Sequence, residues 1–215
     1  TVKFAGTNVY NFANIDIRAI SNPDVSIVAV YKQGNSTVTG LWGDDNGGWD
    51  RFMYSAFGST NGIASRGPSQ SPPYTSIPNS GIPGNVYLFT AMYDGQVNAS
   101  VNAGPTNGSS FWFNGSLLGT FTDLTDASAA QSTLRMGWDG DDGKFSGDIA
   151  EFIVYNRLLT PCEIQQINIY LSNKYGITFS TATITAGGST AICPGASVQL
   201  AANSGTAYQW NLNGT

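Results

Sequence analysis

Short runs of apolar residues alternate along most of the chain with clusters of Gly, Asn, Pro and Ser. Runs of this kind, rich in β-branched and aromatic residues and bounded by turn-forming residues, are typical of β-strands. The pattern predicts strands at 2–5, 8–12, 25–32, 37–43, 51–57, 62–66, 86–94, 97–103, 110–114, 117–121, 132–138, 144–155 and 183–186. Many short strands at this spacing indicate an all-β fold, in which two antiparallel sheets pack as a jelly-roll sandwich.

One segment departs from this pattern and predicts a short helix after the last strand of the sandwich. Thr160 is a favourable N-cap, Pro161 follows at the first helical position, and Glu163 completes a capping box. Gly176 is a favourable C-cap. The apolar positions between the caps are three and four residues apart: Ile164, Ile167, Leu171 and Tyr175. We expect this amphipathic helix to cover a sheet edge or one end of the sandwich.

The chain divides near residue 180. Residues 1–178 contain the strands and the helix of the sandwich, 179–182 form a linker, and 183–215 begin a second β module. This second module is too short for a complete β-sandwich domain of about 100 residues. We therefore expect it to be the first part of a longer domain, and the sequence to be a window on a multidomain chain.

The composition agrees with a secreted β protein. Charged residues make up 11% of the chain, against about 25% in an average globular domain. The net charge of −5 argues against nucleic acid or an anionic membrane as the main partner. No apolar run approaches the ~18–20 residues of a transmembrane helix, and no signal peptide is present.

The strand and helix at 147–177, GDIAEFIVYNRLLTPCEI continued by INIYLSNKYGI, carry a family resemblance. This segment resembles the closing signature of laminin-G-like, concanavalin A-like lectin/glucanase domains in secreted surface proteins of Bacteroidetes-type bacteria. Supporting motifs occur in the expected order: VKFAGT at 2–7, VSIVAVY at 25–31, FNG at 113–115 and LRMG at 134–137. The resemblance covers residues 1–178 and implies a secreted or cell-surface location. It also implies that an opening strand precedes residue 1.

The second module resembles the start of an immunoglobulin-like repeat from the same kind of surface protein. Two predicted strands at 191–200 and 208–215 would be its B and C strands, with Trp210 as its core tryptophan. The resemblance therefore implies further domains of the same chain as partners.

The residues needed for glucanase chemistry are missing. Glucanases of this fold carry a Glu-x-Asp-x-Glu strand that holds two carboxylates about 5–5.5 Å apart. This chain has only two glutamates, Glu151 and Glu163, and no histidine. Asp148 and Glu151 are three apart and would face opposite sides of a regular strand. Because the commonest general base is absent as well, we predict that the chain is not an enzyme.

Two acidic loops beside tryptophans, at 42–50 and 137–144, are candidates for calcium binding. Calcium takes six to eight oxygen ligands, and Asp and Asn among glycines can supply them from a loop that wraps the ion. The alternative is that Asp-Gly and Asn-Gly pairs only form tight turns. The candidate metal ligands are Asp44, Asp45, Asp139, Asp141 and Asp142.

The same loops are candidates for sugar recognition, which pairs aromatic ring faces with polar groups that bind hydroxyls. The candidate ligand-binding residues are Trp42, Trp49, Trp138, Asp50, Arg66 and Tyr74. The alternative is that these tryptophans belong to the core, as tryptophans of a sandwich usually do.

We predict a non-catalytic extracellular module that binds a glycan or a cell-surface ligand as part of an adhesin. The alternatives are a structural spacer with no ligand, or an accessory domain of a polysaccharide-degrading enzyme. The sequence leaves the state of the two cysteines open. Cys162 and Cys193 can form one disulfide, Cys193 can pair beyond residue 215, or Cys162 can be a small buried residue.

Overall fold

The computed structural model of the protein describes most of the predicted sandwich and part of the second module. The chain forms two compact units, Thr1–Ile177 and Thr178–Thr215. The described residues are 1–17, 23–34, 39–44, 51–55, 63–64, 83–94, 109–121, 133–140, 143–178, 184–188 and 195–202.

Strands dominate the described residues, and a single helix, α1 (Pro161–Tyr175), accompanies them. The strands of the first unit are β1 (Val2–Ala5), β2 (Tyr10–Ala13), β3 (Val25–Gln33), β4 (Thr39–Gly43), β5 (Phe52–Ser55), β6 (Ile63–Ala64), β7 (Val86–Tyr93), β8 (Ser109–Phe113), β9 (Ser116–Phe121), β10 (Thr133–Met136) and β11 (Ser146–Tyr155). The second unit contributes β12 (Ile184–Ala186) and β13 (Leu200–Ala202). The predicted strand at 97–103 lies outside the described residues.

The strands of the first unit form two antiparallel sheets. One sheet has six strands in the order β1-β11-β3-β7-β8-β9, and the other has five in the order β2-β10-β4-β5-β6. One hydrophobic core contains side chains of both sheets, with Ile27, Tyr31 and Phe89 from the first and Leu41 and Leu134 from the second. This arrangement confirms the predicted all-β jelly-roll sandwich.

The central strands of the six-stranded sheet are buried on both faces. In β3, Ile27 and Tyr31 belong to the core, while Val28 and Val30 point to the opposite face and are also fully buried. Leu88 in the neighbouring strand β7 is buried too. A strand that is buried on both faces has a nearly continuous run of apolar residues, and the sequence of β3 contains such a run.

Helix α1 begins and ends as the sequence predicts. The Thr160 hydroxyl accepts a hydrogen bond from the Glu163 backbone N–H at 3.3 Å, and the Thr160 N–H donates to the Glu163 carboxylate at 2.8 Å. Gly176 has a left-handed conformation with φ 65° and ends the helix. The buried face differs from the predicted one, because Asn168 is buried with Ile164 and Leu171.

The position of α1 corrects the expectation that it covers an edge or an end of the sandwich. Helix α1 contacts β7 and reaches β11, where Tyr175 donates a hydrogen bond to Glu151 at 2.8 Å and Lys174 forms an ion pair with the same carboxylate. It therefore lies across the outer face of the central strands. The physical reason is that the apolar outer faces of β3 and β7 require a cover.

A β-bulge in β11 changes the direction of its side chains. The pairing of β11 with β3 shifts register between Ile149 and Glu151. As a result, Ile149 contacts the core on one side of the bulge and Phe152 on the other, although they are three residues apart. Asp148 and Glu151, which flank these positions, therefore point to the outer face together, and the prediction that they face opposite sides is wrong.

Ser26 joins β3 to the segment that leads into α1. Its hydroxyl donates to the Arg157 carbonyl at 2.8 Å and accepts from the Leu159 N–H at 3.2 Å. Ser26 and Leu159 are both buried, so the Leu159 N–H has no water as a substitute partner. One side chain therefore satisfies two backbone groups more than 130 positions away in the sequence.

We expect Ser26→Ala to lower the free energy of unfolding of the first unit by about 1–3 kcal/mol, because it leaves the buried Leu159 N–H unsatisfied and removes the hydrogen bond to the Arg157 carbonyl. Urea unfolding followed by near-UV circular dichroism measures the change. Ser116→Ala, at an exposed position of β9, is the matched control and should stay within about 0.5 kcal/mol of the wild type. A Ser26→Ala protein as stable as the control would contradict this role.

The ion pair beside the N-terminus of α1 makes the helix sensitive to acid. Arg157 donates to both Glu163 carboxylate oxygens, at 3.0 and 2.7 Å. Arg157, together with the Thr160 backbone and hydroxyl, lowers the pKa of Glu163 from 4.5 to about 2. The ionised form of the Glu163 carboxylate therefore stabilises the folded state. Its stabilising effect is complete above about pH 4.5 and disappears as the pH falls towards 2.

We expect Glu163→Gln to be less stable than the wild type at neutral pH, because it removes the ion pair and weakens the capping box. The difference in unfolding free energy should shrink as the pH falls from about 4.5 to 2, where the wild-type carboxylate takes up a proton. Thermal unfolding of both proteins across this pH range measures it. A difference that stays constant in acid would show that the Glu163 charge does not stabilise the helix.

The second unit is described only in part. Strands β12 and β13 pair antiparallel, with Thr185 opposite Ala201. The predicted strand at 208–215 and Trp210 lie outside the described residues, so the immunoglobulin-like assignment stays a prediction. Cys162 is an exposed free thiol, and Cys193 also lies outside the described residues. Within the described part of the chain, no helix has the length and apolarity needed to cross a bilayer.

Candidate functional site

The described parts of the two predicted acidic loops lie at opposite ends of β4. Asp44 directly follows the last residue of β4, whereas the 137–144 loop crosses its beginning, where Gly40 donates to the Gly143 carbonyl at 2.8 Å. If residue 40 carried a side-chain methyl group, that carbon would lie only 2.3 Å from the backbone nitrogen of Asp139. The loop therefore passes too close to Gly40 for a larger residue. At a rise of about 3.3 Å per residue, Gly40 and Asp44 are roughly 13 Å apart along β4. Of the predicted ligands that are described, Asp44 and Asp139 therefore do not share one calcium ion.

Trp42 is a core residue and not a platform for a ligand. Its side chain is fully buried, with ring centroids of Phe89 and Phe152 at 5.7 and 5.9 Å. Both sheets of the sandwich contribute to this aromatic cluster. The prediction that Trp42 contacts a sugar is wrong, because the core of the sandwich surrounds its indole ring.

Trp138 is half-buried, and two cationic side chains contact its ring. The Arg135 guanidinium lies 5.1 Å and the Lys144 ammonium 5.6 Å from the ring centroid. Both distances are within the range of a cation–π interaction. These two cations therefore cover part of the indole surface that we predicted to contact a sugar.

Two of the five predicted calcium ligands lie in the described part of the chain. Asp44 and Asp139 are fully buried. Among the described residues, no three acidic, histidine or cysteine side chains converge on one point, so these residues do not supply a calcium ligand set by themselves. The other predicted site residues lie outside the described residues: Asp45, Trp49, Asp50, Arg66, Tyr74, Asp141 and Asp142.

A pocket of about 480 Å³ opens where three segments of the chain meet, and we name it the Tyr155 pocket. The segments are the turn after β2, the residues that lead into β3, and the end of β11. Its lining residues are Asn14, Ile15, Asp16, Pro23, Asp24, Val25, Val154, Tyr155 and Asn156.

The turn after β2 forms the first wall of the pocket. Asn14 has a positive φ of 74°, a conformation that Asn tolerates better than most residues. The Ile15 N–H donates back to the Phe12 carbonyl at 3.2 Å, and the Ile15 carbonyl accepts from Leu134 in β10 at 3.3 Å. The N–H and the carbonyl of Ile15 therefore attach this wall to β2 and β10 of the five-stranded sheet.

A buried arginine supports the second wall from behind. Arg51 is fully buried and donates a hydrogen bond to the Pro23 carbonyl. Its guanidinium lies 5.1 Å from the centroid of the Tyr93 ring. Arg51 thus connects the pocket wall to the end of β7, while its own carbonyl accepts from the Asp44 N–H at 3.3 Å.

The end of β11 forms the third wall. Val154 pairs with Ile27 and Tyr155 with Ser26 in β3, so this wall continues the six-stranded sheet. The Arg157 guanidinium lies 5.8 Å from the centroid of the Tyr155 ring and also pairs with Glu163. The pocket wall and the start of α1 are therefore linked through Arg157.

The lining chemistry suits a small polar ligand. Tyr155 offers an aromatic ring, Ile15 and Val154 offer apolar surface, and the Asn and Asp side chains offer amide and carboxylate groups. No pattern in the sequence indicates this site. Its three segments are separated by up to about 140 residues, and the pairing of β11 with β3 brings the last of them to the others.

Comparison with known proteins identifies the fold but no family. No protein-family model and no curated protein matches this chain. A native heptameric SAP-like pentraxin from Limulus polyphemus has a similar structure, with a TM-score of 0.55 and 16% identity over 77% of this chain and 80% of the pentraxin.

Two further solved structures have the same fold over most of this chain. Trypanosoma rangeli sialidase matches with a TM-score of 0.51 and 15% identity, over 72% of this chain and 24% of the sialidase. The binding domain of botulinum neurotoxin serotype D matches with a TM-score of 0.50 and 10% identity, over 76% of this chain and 43% of that domain. These similarities support the jelly-roll sandwich.

Proposed function

We propose that this chain is a non-catalytic module that binds a glycan in the Tyr155 pocket. The observation that carries the proposal is the lining of this pocket, which combines an aromatic ring, apolar surface, amides and carboxylates. Aromatic rings pack against the apolar faces of sugar rings, while amide and carboxylate groups bind sugar hydroxyls. The volume of about 480 Å³ lies within the usual range of small-ligand pockets.

The positions of the glutamates support a non-catalytic role. Glu151 pairs with Lys174, and Glu163 pairs with Arg157, so each of the two glutamates of the chain stabilises the position of α1. Neither residue lines the Tyr155 pocket. The acid/base pair of a glycosidase would instead require two carboxyl groups on either side of the scissile bond.

The proposed context is extracellular. The low content of charged residues and the resemblance to laminin-G-like domains support a secreted or cell-surface protein in which this module contributes to adhesion. A structural spacer is the second candidate function. It is favoured by the burial of Trp42 and by the cations against the rings of Trp138 and Tyr155, since each reduces the aromatic surface that is open to a ligand.

A panel of neutral, amino and acidic oligosaccharides tests the proposal. We expect the chain to bind at least one class. Tyr155→Ala should weaken that binding about tenfold, because the ring supplies stacking worth up to about 1.5 kcal/mol. Tyr170→Ala is the matched control, since Tyr170 is an exposed tyrosine on α1 and outside the pocket. Binding that survives Tyr155→Ala unchanged would place the ligand elsewhere.

The same panel, repeated with calcium and with EDTA, tests the calcium prediction separately. Loss of binding in EDTA would support a calcium ion held by one of the acidic loops. Binding that persists in EDTA would retain the glycan module and show that glycan binding does not depend on calcium. Failure of every glycan in both conditions would overturn the proposed function in favour of the spacer.

A further inference from the structure

We propose that Arg157 and Glu163 are positioning residues of the Tyr155 pocket: Glu163 fixes the Arg157 guanidinium, and Arg157 in turn fixes the Tyr155 ring for the glycan. This inference rests on the proposed function and deepens it, since neither of the two charged residues lines the pocket. It means that the first turn of α1 influences how tightly the pocket binds, although no residue of the helix is among its lining residues.

The Arg157 guanidinium supports the Tyr155 ring from outside the pocket. It lies 5.8 Å from the ring centroid, within the range of a cation–π interaction. Tyr155 lines the pocket, whereas Arg157 does not. The arginine therefore covers one part of the ring and leaves the part that lines the pocket to a ligand. Its contact opposes rotation of the ring away from this position.

Glu163 restricts the guanidinium from the helix side. Arg157 donates to both carboxylate oxygens of Glu163, at 3.0 and 2.7 Å, and to the Leu158 carbonyl at 3.1 Å. Such a bidentate pair fixes the plane of the guanidinium as well as its distance. The carboxylate is held in turn, because the Thr160 N–H and hydroxyl donate to it at 2.8 and 3.0 Å.

The backbone that carries the tyrosine and the arginine is anchored to β3. Tyr155 pairs with Ser26, and the Arg157 carbonyl accepts from the Ser26 hydroxyl at 2.8 Å. Rotation of the side chain is therefore the main freedom that remains to the Tyr155 ring, and the contact with Arg157 limits it.

A ring that is fixed before the glycan arrives should bind it more tightly than a ring that the glycan must fix. Immobilising a side chain in an interface opposes binding, and preorganisation removes this cost. In the wild-type protein, Arg157 already restricts the Tyr155 ring. Loss of the guanidinium, or of the carboxylate that holds it, should therefore weaken glycan binding by about threefold to tenfold.

Calorimetric titration with maltotriose, chitotriose and trigalacturonate, one trisaccharide from each class of the panel, tests the inference. The tightest binder is then titrated into Arg157→Met, Glu163→Gln and the double variant. We expect each single variant to show the weaker binding, and the double variant to bind as tightly as Arg157→Met does. Glu163 would then act through Arg157, whereas independent effects of the two residues would add.

Lys174→Met is the matched control at the other end of α1. It removes the ion pair with Glu151, and Lys174 contacts the rings of Tyr170 and Tyr175 rather than the Tyr155 ring. This variant loosens the helix without disturbing Arg157, so it should bind the trisaccharide as the wild type does. The Arg157 side chain is half-exposed, and we expect Arg157→Met to fold.

NMR of the free protein measures the positioning without a ligand. The ring current of Tyr155 shifts the Nε–H resonance of a guanidinium that lies over the ring, so the Arg157 resonance should differ between the wild type and Tyr155→Leu. Glu163→Gln should move this resonance towards its position in Tyr155→Leu, because the guanidinium leaves the ring. Lys174→Met should leave it unchanged.

The outcomes separate the two proposals. Wild-type affinity in Arg157→Met and Glu163→Gln, an additive loss in the double variant, or an equal loss in Lys174→Met would overturn the inference and leave the glycan module in place. An Arg157 resonance that Tyr155→Leu does not move would also overturn the inference, because the guanidinium would then not contact the ring. Failure of these sugars and of the whole oligosaccharide panel would overturn both proposals.

Discussion

The burial of β3 and β7 on both faces is the constraint on which the rest of the first unit depends. One face of these strands contributes to the core between the sheets, where Phe89 meets Trp42. The other face, with Val28, Val30 and Leu88, requires a second cover. Helix α1 provides it, and its caps, its ion pair to β11 and the Ser26 hydrogen bonds hold it in place. The helix is thus a third layer on the sandwich.

Strand β11 connects this layer to the candidate site. Its first half pairs with β1, its bulge directs Glu151 towards α1, and its last residues form a wall of the Tyr155 pocket. Directly after the strand, Arg157 contacts both the Tyr155 ring and Glu163 in the first turn of the helix. The stability of the helix and the geometry of the pocket are therefore not independent. A ligand at Tyr155 lies against the same arginine that holds the start of α1.

Local features of the sequence predicted the local structure well. The caps of α1 followed from Thr160, Pro161, Glu163 and Gly176 because capping depends on residues only a few positions apart. The strands followed from alternation and turn residues in the same way, and the sandwich followed from their number. The bulge in β11 was missed because one extra residue in a strand leaves little trace in an apolar run.

The candidate site required information that no local pattern contains. Trp42 and Trp138 stand in similar acidic loops, yet the first is buried in the core and the second is half-buried beside two cations. Trp42 lies within β4, opposite Met136 and towards the core, whereas Trp138 lies beyond the end of β10. The Tyr155 pocket likewise depends on pairing between distant strands. Asn168 is a further example, since a polar residue on the buried face of α1 contradicts the apolar spacing that predicted the helix.

The most direct test of the central claim is to map the glycan on the protein by NMR. Backbone amide shifts are recorded while the best-binding oligosaccharide is added to the isotope-labelled chain. We expect the largest shifts at Asn14–Asp16, at Asp24 and Val25, and at Val154–Asn156, with small shifts in the acidic loops at 42–50 and 137–144. Shifts confined to the acidic loops would contradict the assignment of the Tyr155 pocket as the binding site.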